Sequence, residues 1–256
     1  MTLRLLAAAS LAFLALAPLA PPPASAQGFD IETMSEAERA AFGEAVRAYL
    51  LDNPGVIAEA IEVLREREEA AQAAVERSRA RQYRAALHDT SYAWAGGDTD
   101  GDVTVVEFTD YRCGFCKRAH GSVKEALERD GDTRLIVREY PILGDASVAA
   151  GRKAMAAYRS APDLYPALND ALMAHQGDLD EATAYEIAES VGYDADELRL
   201  LAASDEIGAE LEKTYRLGEV LGVRGTPTFI VEDRILRGAV SAARLIEEIE
   251  AARAEG

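Results

Sequence analysis

Two cysteines, Cys113 and Cys116, are the only ones in 256 residues, and they stand three positions apart. A disulfide used as a structural staple stabilises more as the loop it closes lengthens, and the loop Gly114-Phe115 closes almost nothing. The pair is therefore kept for reactivity. Val103 to Thr109 is a β-branched, apolar run that fits a buried strand, and it ends just ahead of the pair. A helical pattern begins directly after it. A cysteine in the first turn of a helix faces unpaired backbone N–H groups and the positive end of the helix dipole, which favour its thiolate. Cys113 occupies that position and reads as the nucleophile. Cys116, one turn further in and more sheltered, reads as the resolving cysteine that attacks a mixed disulfide at Cys113.

Metal binding is the competing use of such a pair. Cys113, Cys116 and His120 form a Cys-x-x-Cys-x-x-x-His run. Structural zinc wants four ligands, and there is no second pair to complete them. Copper(I) can be held by two thiolates, so an exported copper(I)-binding protein is the alternative function. The segment Asp98-Thr99-Asp100-Gly101-Asp102 imitates a calcium loop, but its glycine is misplaced and Thr109 stands where the bidentate Glu belongs, so it reads as a turn.

The first 26 residues stand apart from the rest. Arg4 is their one charge, an apolar run extends from Leu5 to about Leu19, and Pro21-Pro22-Pro23-Ala24-Ser25-Ala26 follows. Ala24 and Ala26 fit an A-x-A cleavage site, so residues 1–26 are expected to be a signal peptide cut after Ala26, with the mature chain outside the cytoplasm. Of the 27 basic residues only Arg4 is lost, leaving 26 against 45 acidic ones, a formal charge of −19. Such a surface repels nucleic acid and anionic lipid.

From Ile31 to about His88 the sequence is helical and rich in Ala, Glu and Arg. Ser35 with Glu38 reads as a capping box, followed by an apolar stripe of Phe42, Val46, Tyr49 and Leu50. Asn53-Pro54 ends that helix, and Val56, Ile57, Ala60, Ile61 and Leu64 form the stripe of the next. The run from Arg65 to Arg81 reads as a solvated helical spacer. Two such stripes are too small to make a core of their own, so they pack either on the catalytic domain or on copies of themselves; the charged spacer, holding them away from the rest of the chain, favours the second, a homo-dimer or homo-trimer through residues 31–88. Further strands are expected over Arg134 to about Tyr140, Thr228 to Val231 and Arg234 to Leu236, with helical sequence from about Ala146 to Leu221 and a last helix from Ser241. Strands and helices alternate at both ends of a helical block, an α/β plan.

This order, together with Gly222-Val223-Arg224-Gly225-Thr226-Pro227-Thr228-Phe229, resembles the DsbA family of thioredoxin-like proteins, and within it the ScsC and Com-one-like branch. Val105-Val106-Glu107-Phe108-Thr109-Asp110-Tyr111 is similar to the family's central strand, and Glu107, six residues before Cys113, matches its buried acid. A desolvated carboxyl there would have a raised pKa and could accept the proton that Cys116 must lose. Tyr140-Pro141-Ile142-Leu143-Gly144 resembles the turn into the family's inserted helical domain. Thr226-Pro227 resembles the cis-proline loop that holds an extended substrate strand, where a proline adds no competing N–H beside the sulfurs. Ala48-Tyr49-Leu50-Leu51-Asp52-Asn53-Pro54 resembles the extension that assembles some ScsC-like proteins.

The resemblance implies a thioredoxin fold over residues 89–256 with a helical insertion at about 145–222, preceded by an N-terminal helical region over 27–88. It implies a periplasmic protein dithiol–disulfide oxidoreductase with no bound cofactor and no metal, acting on cysteine-containing client proteins and served by a membrane redox partner. The dipeptide Gly114-Phe115 lacks the histidine of strongly oxidising members, and Thr226 is isomerase-like. A weaker oxidant follows, nearer the isomerase range than the DsbA extreme of about −120 mV, and an isomerase or reductase is favoured over an oxidase.

Overall fold

The computed structural model describes residues 33–255. The expected signal peptide, residues 1–26, lies outside the described residues. The chain divides into two compact units, one ending at Glu62 and the other spanning Val63–Gly256.

In the first unit, α1 (Glu36–Asp52) starts at the expected capping box. The Ser35 hydroxyl accepts from the Glu38 N–H, and Glu38 reaches back to the Ser35 N–H at 2.9 Å. Asn53 ends the helix through bonds from its backbone and side-chain amides to the Tyr49 carbonyl. α2 (Gly55–Gln82) begins at once, after Pro54. No residue of α1 is buried, and Val46, Tyr49, Ile57 and Ile61 are all exposed.

The second unit is built on a five-stranded sheet: β1 (Trp94–Gly97), β2 (Val103–Thr109), β3 (Thr133–Glu139), β4 (Thr228–Val231) and β5 (Arg234–Arg237). Its order is β1-β3-β2-β4-β5, with β2 and β3 parallel and the other pairs antiparallel. α4 (Gly114–Asp130) is the crossover that the parallel pair β2 and β3 needs. Between β3 and β4 come α5 (Asp145–Ser160), α6 (Tyr165–Ala174), α7 (Glu181–Ser190), α8 (Ala195–Ala203) and α9 (Asp205–Leu221), and α10 (Ala242–Glu255) closes the chain. This is the thioredoxin sheet with a helical block inserted, the α/β class expected. β1 was not expected: Trp94-Ala95-Gly96-Gly97 lacks strand character and is recruited by β3.

Every residue of β2 is buried, because both faces of the sheet are covered. Val103, Val105, Leu135 and Val137 face a core shared with Val123 of α4, Leu168 of α6 and Leu245 of α10. Val106, Phe108 and Ile136 face a second core with Leu217 and Leu221 of α9 and Leu87 of the short α3 (Arg84–Leu87). Ala80, near the end of α2, is fully buried in that second core. The run from Arg65 to Arg81 is helical as expected, but its last turns are no solvated spacer. Arg77 and Arg81 pair with Asp233, Arg77 also with Glu255, and Glu76 takes both terminal nitrogens of Arg237.

Candidate functional site

Cys113 is the N-cap of α4, with extended backbone (φ −79°, ψ 112°), so its sulfur sits at the open end of the helix. The place is fixed from behind. Its N–H donates to the Asp110 carbonyl at 3.0 Å, and its own carbonyl accepts from the Lys117 N–H. Asp110 is the anchor of this loop. One carboxylate oxygen accepts from the Arg112 N–H and the Ser147 hydroxyl, both at 2.9 Å, and the other from the N–H groups of Ile142 and Leu143. A single buried carboxylate thus ties the cysteine loop to the turn that starts α5.

Across from α4 lies the Thr226-Pro227 loop, whose peptide bond is cis as expected. The Cys113 thiol donates to the Thr226 carbonyl at 3.1 Å, so the loop singled out in the sequence does meet the Cys113 sulfur. Thr226 and Pro227, with Phe115, Arg224, Thr228 and Gly238, line a groove of about 280 Å³ beside the sulfur. Phe115 is 58% exposed and carries the Arg118 guanidinium 4.2 Å above its ring. Basic side chains flank the cysteine loop: Arg112, paired with Asp178, and Arg224 are exposed, and the half-buried Lys117 donates to the His175 carbonyl. A larger cavity, about 390 Å³ among Arg77, Arg84, Asp102, Asp233 and Arg253, holds none of the expected site residues.

Cys116 is fully buried, and both cysteines are free thiols. Burial above all pushes the Cys116 thiol up to about 12, with the neighbouring Cys113 and Glu107 adding to the rise. Glu107 is 4% exposed, on the face of β2 turned toward α4. Desolvation raises its carboxyl to about 7, against a weaker opposing bond from Thr109. A buried carboxyl lifted toward neutrality and a buried thiol whose ionisation it opposes thus share one site. His120 does not join the cysteines. Its Nε2 lies 2.7 Å from Asp170 on α6, and no cluster of three metal-binding side chains occurs among the described residues.

Two further parts of the site escape a reading of the sequence. Asp110 carries only the signal of following a strand and preceding the cysteines. Glu139, at the end of β3, is buried and accepts from the Tyr111 and Tyr165 hydroxyls at 2.8 and 2.6 Å on the same oxygen. Tyr165 comes from α6, and nothing in the local pattern announces that meeting.

A cysteine pair opening a helix, opposed by a cis-proline loop on a thioredoxin sheet, defines the class of thiol–disulfide oxidoreductases. The chain belongs to the DSBA-like thioredoxin family, whose model matches residues 104–250. Residues 38–71 match a second model, the copper resistance protein ScsC N-terminal domain. Among solved structures, a thioredoxin-like oxidoreductase from Silicibacter pomeroyi DSS-3 is 38% identical, covering 66% of this chain and 97% of that one with a TM-score of 0.64. The thiol–disulfide exchange protein alpha-DsbA2 from Wolbachia pipientis is 30% identical over 71% and 97% of the two chains, at a TM-score of 0.66. The catalytic domain of Proteus mirabilis ScsC is 26% identical over 70% and 98%, at 0.63.

Curated relatives include the Na(+)/H(+) antiporter NhaA 1 of Mycobacterium sp. (strain KMS), 31% identical over 162 residues. The chain spans about a quarter of the length of these curated relatives, 26% in that case. No helix among the described residues is long and apolar enough to cross a membrane.

Proposed function

We propose that this chain is an exported, periplasmic oxidoreductase of protein cysteines that works chiefly as an isomerase or reductase. The observation that carries the reading is the Cys113 sulfur at the α4 N-cap, 3.1 Å from the carbonyl of Thr226, which with Pro227 lines the neighbouring groove. A client strand laid along that loop presents its disulfide to Cys113. The Cys113 thiolate forms a mixed disulfide and the first client thiolate leaves. Cys116 then gives its proton to Glu107 and attacks the Cys113 sulfur, releasing the second client thiolate. The enzyme's two thiols have become a disulfide, and their two electrons have reduced the client's. In isomerisation a second client thiol resolves the mixed disulfide instead, and the enzyme leaves reduced.

The direction is supported by Gly114-Phe115, which offers the Cys113 thiolate no histidine, and by the exposed stripes of the amino-terminal helices. Two or three copies joined through residues 31–88 would array several reduced sites around one client. Export is supported by the leader-like residues 1–26. A membrane redox partner would return the oxidised pair to the dithiol. The copper(I) reading draws support from the description of the amino-terminal family, and it predicts tight copper(I) uptake that Cys113→Ser removes.

The test is the reduction potential of the Cys113–Cys116 pair in glutathione buffers, taken beside the mass of the mature protein by light scattering. The expected result is a potential near about −180 mV, the isomerase value, with a dimer or trimer. A potential near about −120 mV with a monomer would make the protein an oxidase.

A further inference from the structure

β2 and β3 run parallel with Glu107 opposite Val137 and Thr109 opposite Glu139. Alternation then puts Glu107 and Glu139 on the same face as diagonal neighbours, both turned into the core that holds Cys116. One oxygen of each, Oε1 of Glu107 and Oε2 of Glu139, is buried without a hydrogen-bond partner among the described residues. The other groups acting on Glu139 are the Asp110 carboxylate and the two phenols, with Tyr111 and Tyr165 also 3.1 Å from each other. Trp94 of β1 stacks on Tyr165, and Tyr158 of α5 meets its edge. All hydrogen bonds to Glu139 among the described residues come from phenols, and none from a Lys or Arg.

Two carboxyls buried on one face, with no cation hydrogen-bonded to either, each raise the cost of ionising the other. One is built to hold the charge by two O–H donors on a single oxygen. The other stands beside the sulfur that needs a base.

We propose that Glu139, held by Tyr111 and Tyr165, is a positioning residue that competes with Glu107 for a single buried negative charge and so sets the pH at which Glu107 can accept the Cys116 proton. The inference rests on the oxidoreductase reading and on Glu107 as the acceptor. Desolvation lifts the Glu139 carboxyl above its ordinary value as well, and the Glu107 charge adds to the rise.

The test isolates the step in which Cys116 acts. Cys113 is loaded as a mixed disulfide with thionitrobenzoate, and the full-length mature protein is followed by stopped-flow absorbance. Cys116 attacks the Cys113 sulfur, the coloured thiolate leaves, and the proton goes to Glu107. In the parent protein, release accelerates through a limb near neutral pH. Glu139→Gln removes the competitor, so the limb should move down by about one pH unit, with faster release at about pH 6 and a lower plateau. Tyr165→Phe weakens the hold on the Glu139 anion and should move the limb the same way by less, which serves if Glu139→Gln fails to fold. Glu107→Gln should abolish the limb. A limb unmoved in Glu139→Gln and Tyr165→Phe, yet lost in Glu107→Gln, overturns this inference alone. A profile unchanged in Glu107→Gln overturns it together with the acceptor role on which it stands.

Discussion

The region behind the cysteines and the amino-terminal helices both depart from the usual distribution of polarity, in opposite directions. Around Cys116 the molecule buries Glu107 and Glu139 on the sheet face that also carries Val103, Val105, Leu135 and Val137, and Asp110 just beyond the end of β2. Along α1 and the start of α2 it exposes Val46, Tyr49, Ile57 and Ile61, with Tyr49 at 58%. Buried carboxyls lower stability and are retained where proton transfer requires a group poised near neutrality. Exposed apolar stripes lower solubility and are retained where a partner covers them. The two departures differ in what relieves them: a proton in one case, another polypeptide in the other.

That contrast can be broken at several points. The largest expected effect lies at the sulfur, where Glu107→Gln should slow thiol–disulfide exchange at neutral pH by about a hundredfold, the low end for loss of a general base. Alkylation of Cys113 by iodoacetamide, which needs no proton from Cys116, should proceed as in the parent. Equal losses in both assays would mean that Glu107 only supports the fold.

The same substitution should stabilise the protein. Glu107 titrates near 7 when folded against an ordinary 4.5, so the native state holds a proton that the unfolded chain releases earlier. Stability should therefore fall as pH rises from about 4.5 to 7 and level off above, by about 3 kcal/mol at ~1.4 kcal/mol per pH unit. Urea denaturation should show Glu107→Gln ahead of the parent by up to that amount at about pH 8 and level with it at about pH 4. A constant difference across the range would deny that the carboxyl is buried without a partner.

At the other region, Ile57→Asp with Ile61→Asp should lower the light-scattering mass about two- or threefold, to one chain, because a charge in a covered apolar seam goes unpaired. Reduction of a small disulfide peptide should stay unchanged, while reshuffling of a scrambled multi-disulfide client should slow. An unaltered mass would mean that these stripes assemble nothing. The smallest effect belongs to the ion pairs at the end of α2. Arg81→Ala removes an exposed partner of Asp233 and should cost under about 1 kcal/mol in urea denaturation, less at high salt.

How much of this was legible in the sequence depended on the range of the interactions involved. β2 announces itself as a β-branched apolar run, β3 and β4 as shorter apolar stretches and β5 only as Ile235-Leu236 between arginines, and the Cys113 helix start follows from a strand ending just before it. β1 does not, since Trp94-Ala95-Gly96-Gly97 is made a strand by its pairing with β3. Glu107 could be picked by its distance from Cys113, but its face could not, because a strand buried on both sides shows no alternation. The Glu139 contacts were out of reach: Tyr111 and Tyr165 lie 28 and 26 residues away, and only the packing of α6 against the sheet brings the second one in. The anchoring of α2 was hidden for the same reason, because Arg77 and Arg81 find Asp233 more than 150 residues later.

Asp110 receives four donors, two from the turn at Ile142 and Leu143, one from Ser147 and one from the cysteine loop itself. Folding has therefore already removed most of the conformational freedom that the loop before Cys113 would otherwise lose on meeting a client. Little ordering is left for the encounter, so the attack of Cys113 on a disulfide should carry a small activation entropy. The rate of exchange should then depend on temperature chiefly through the breaking and making of sulfur bonds.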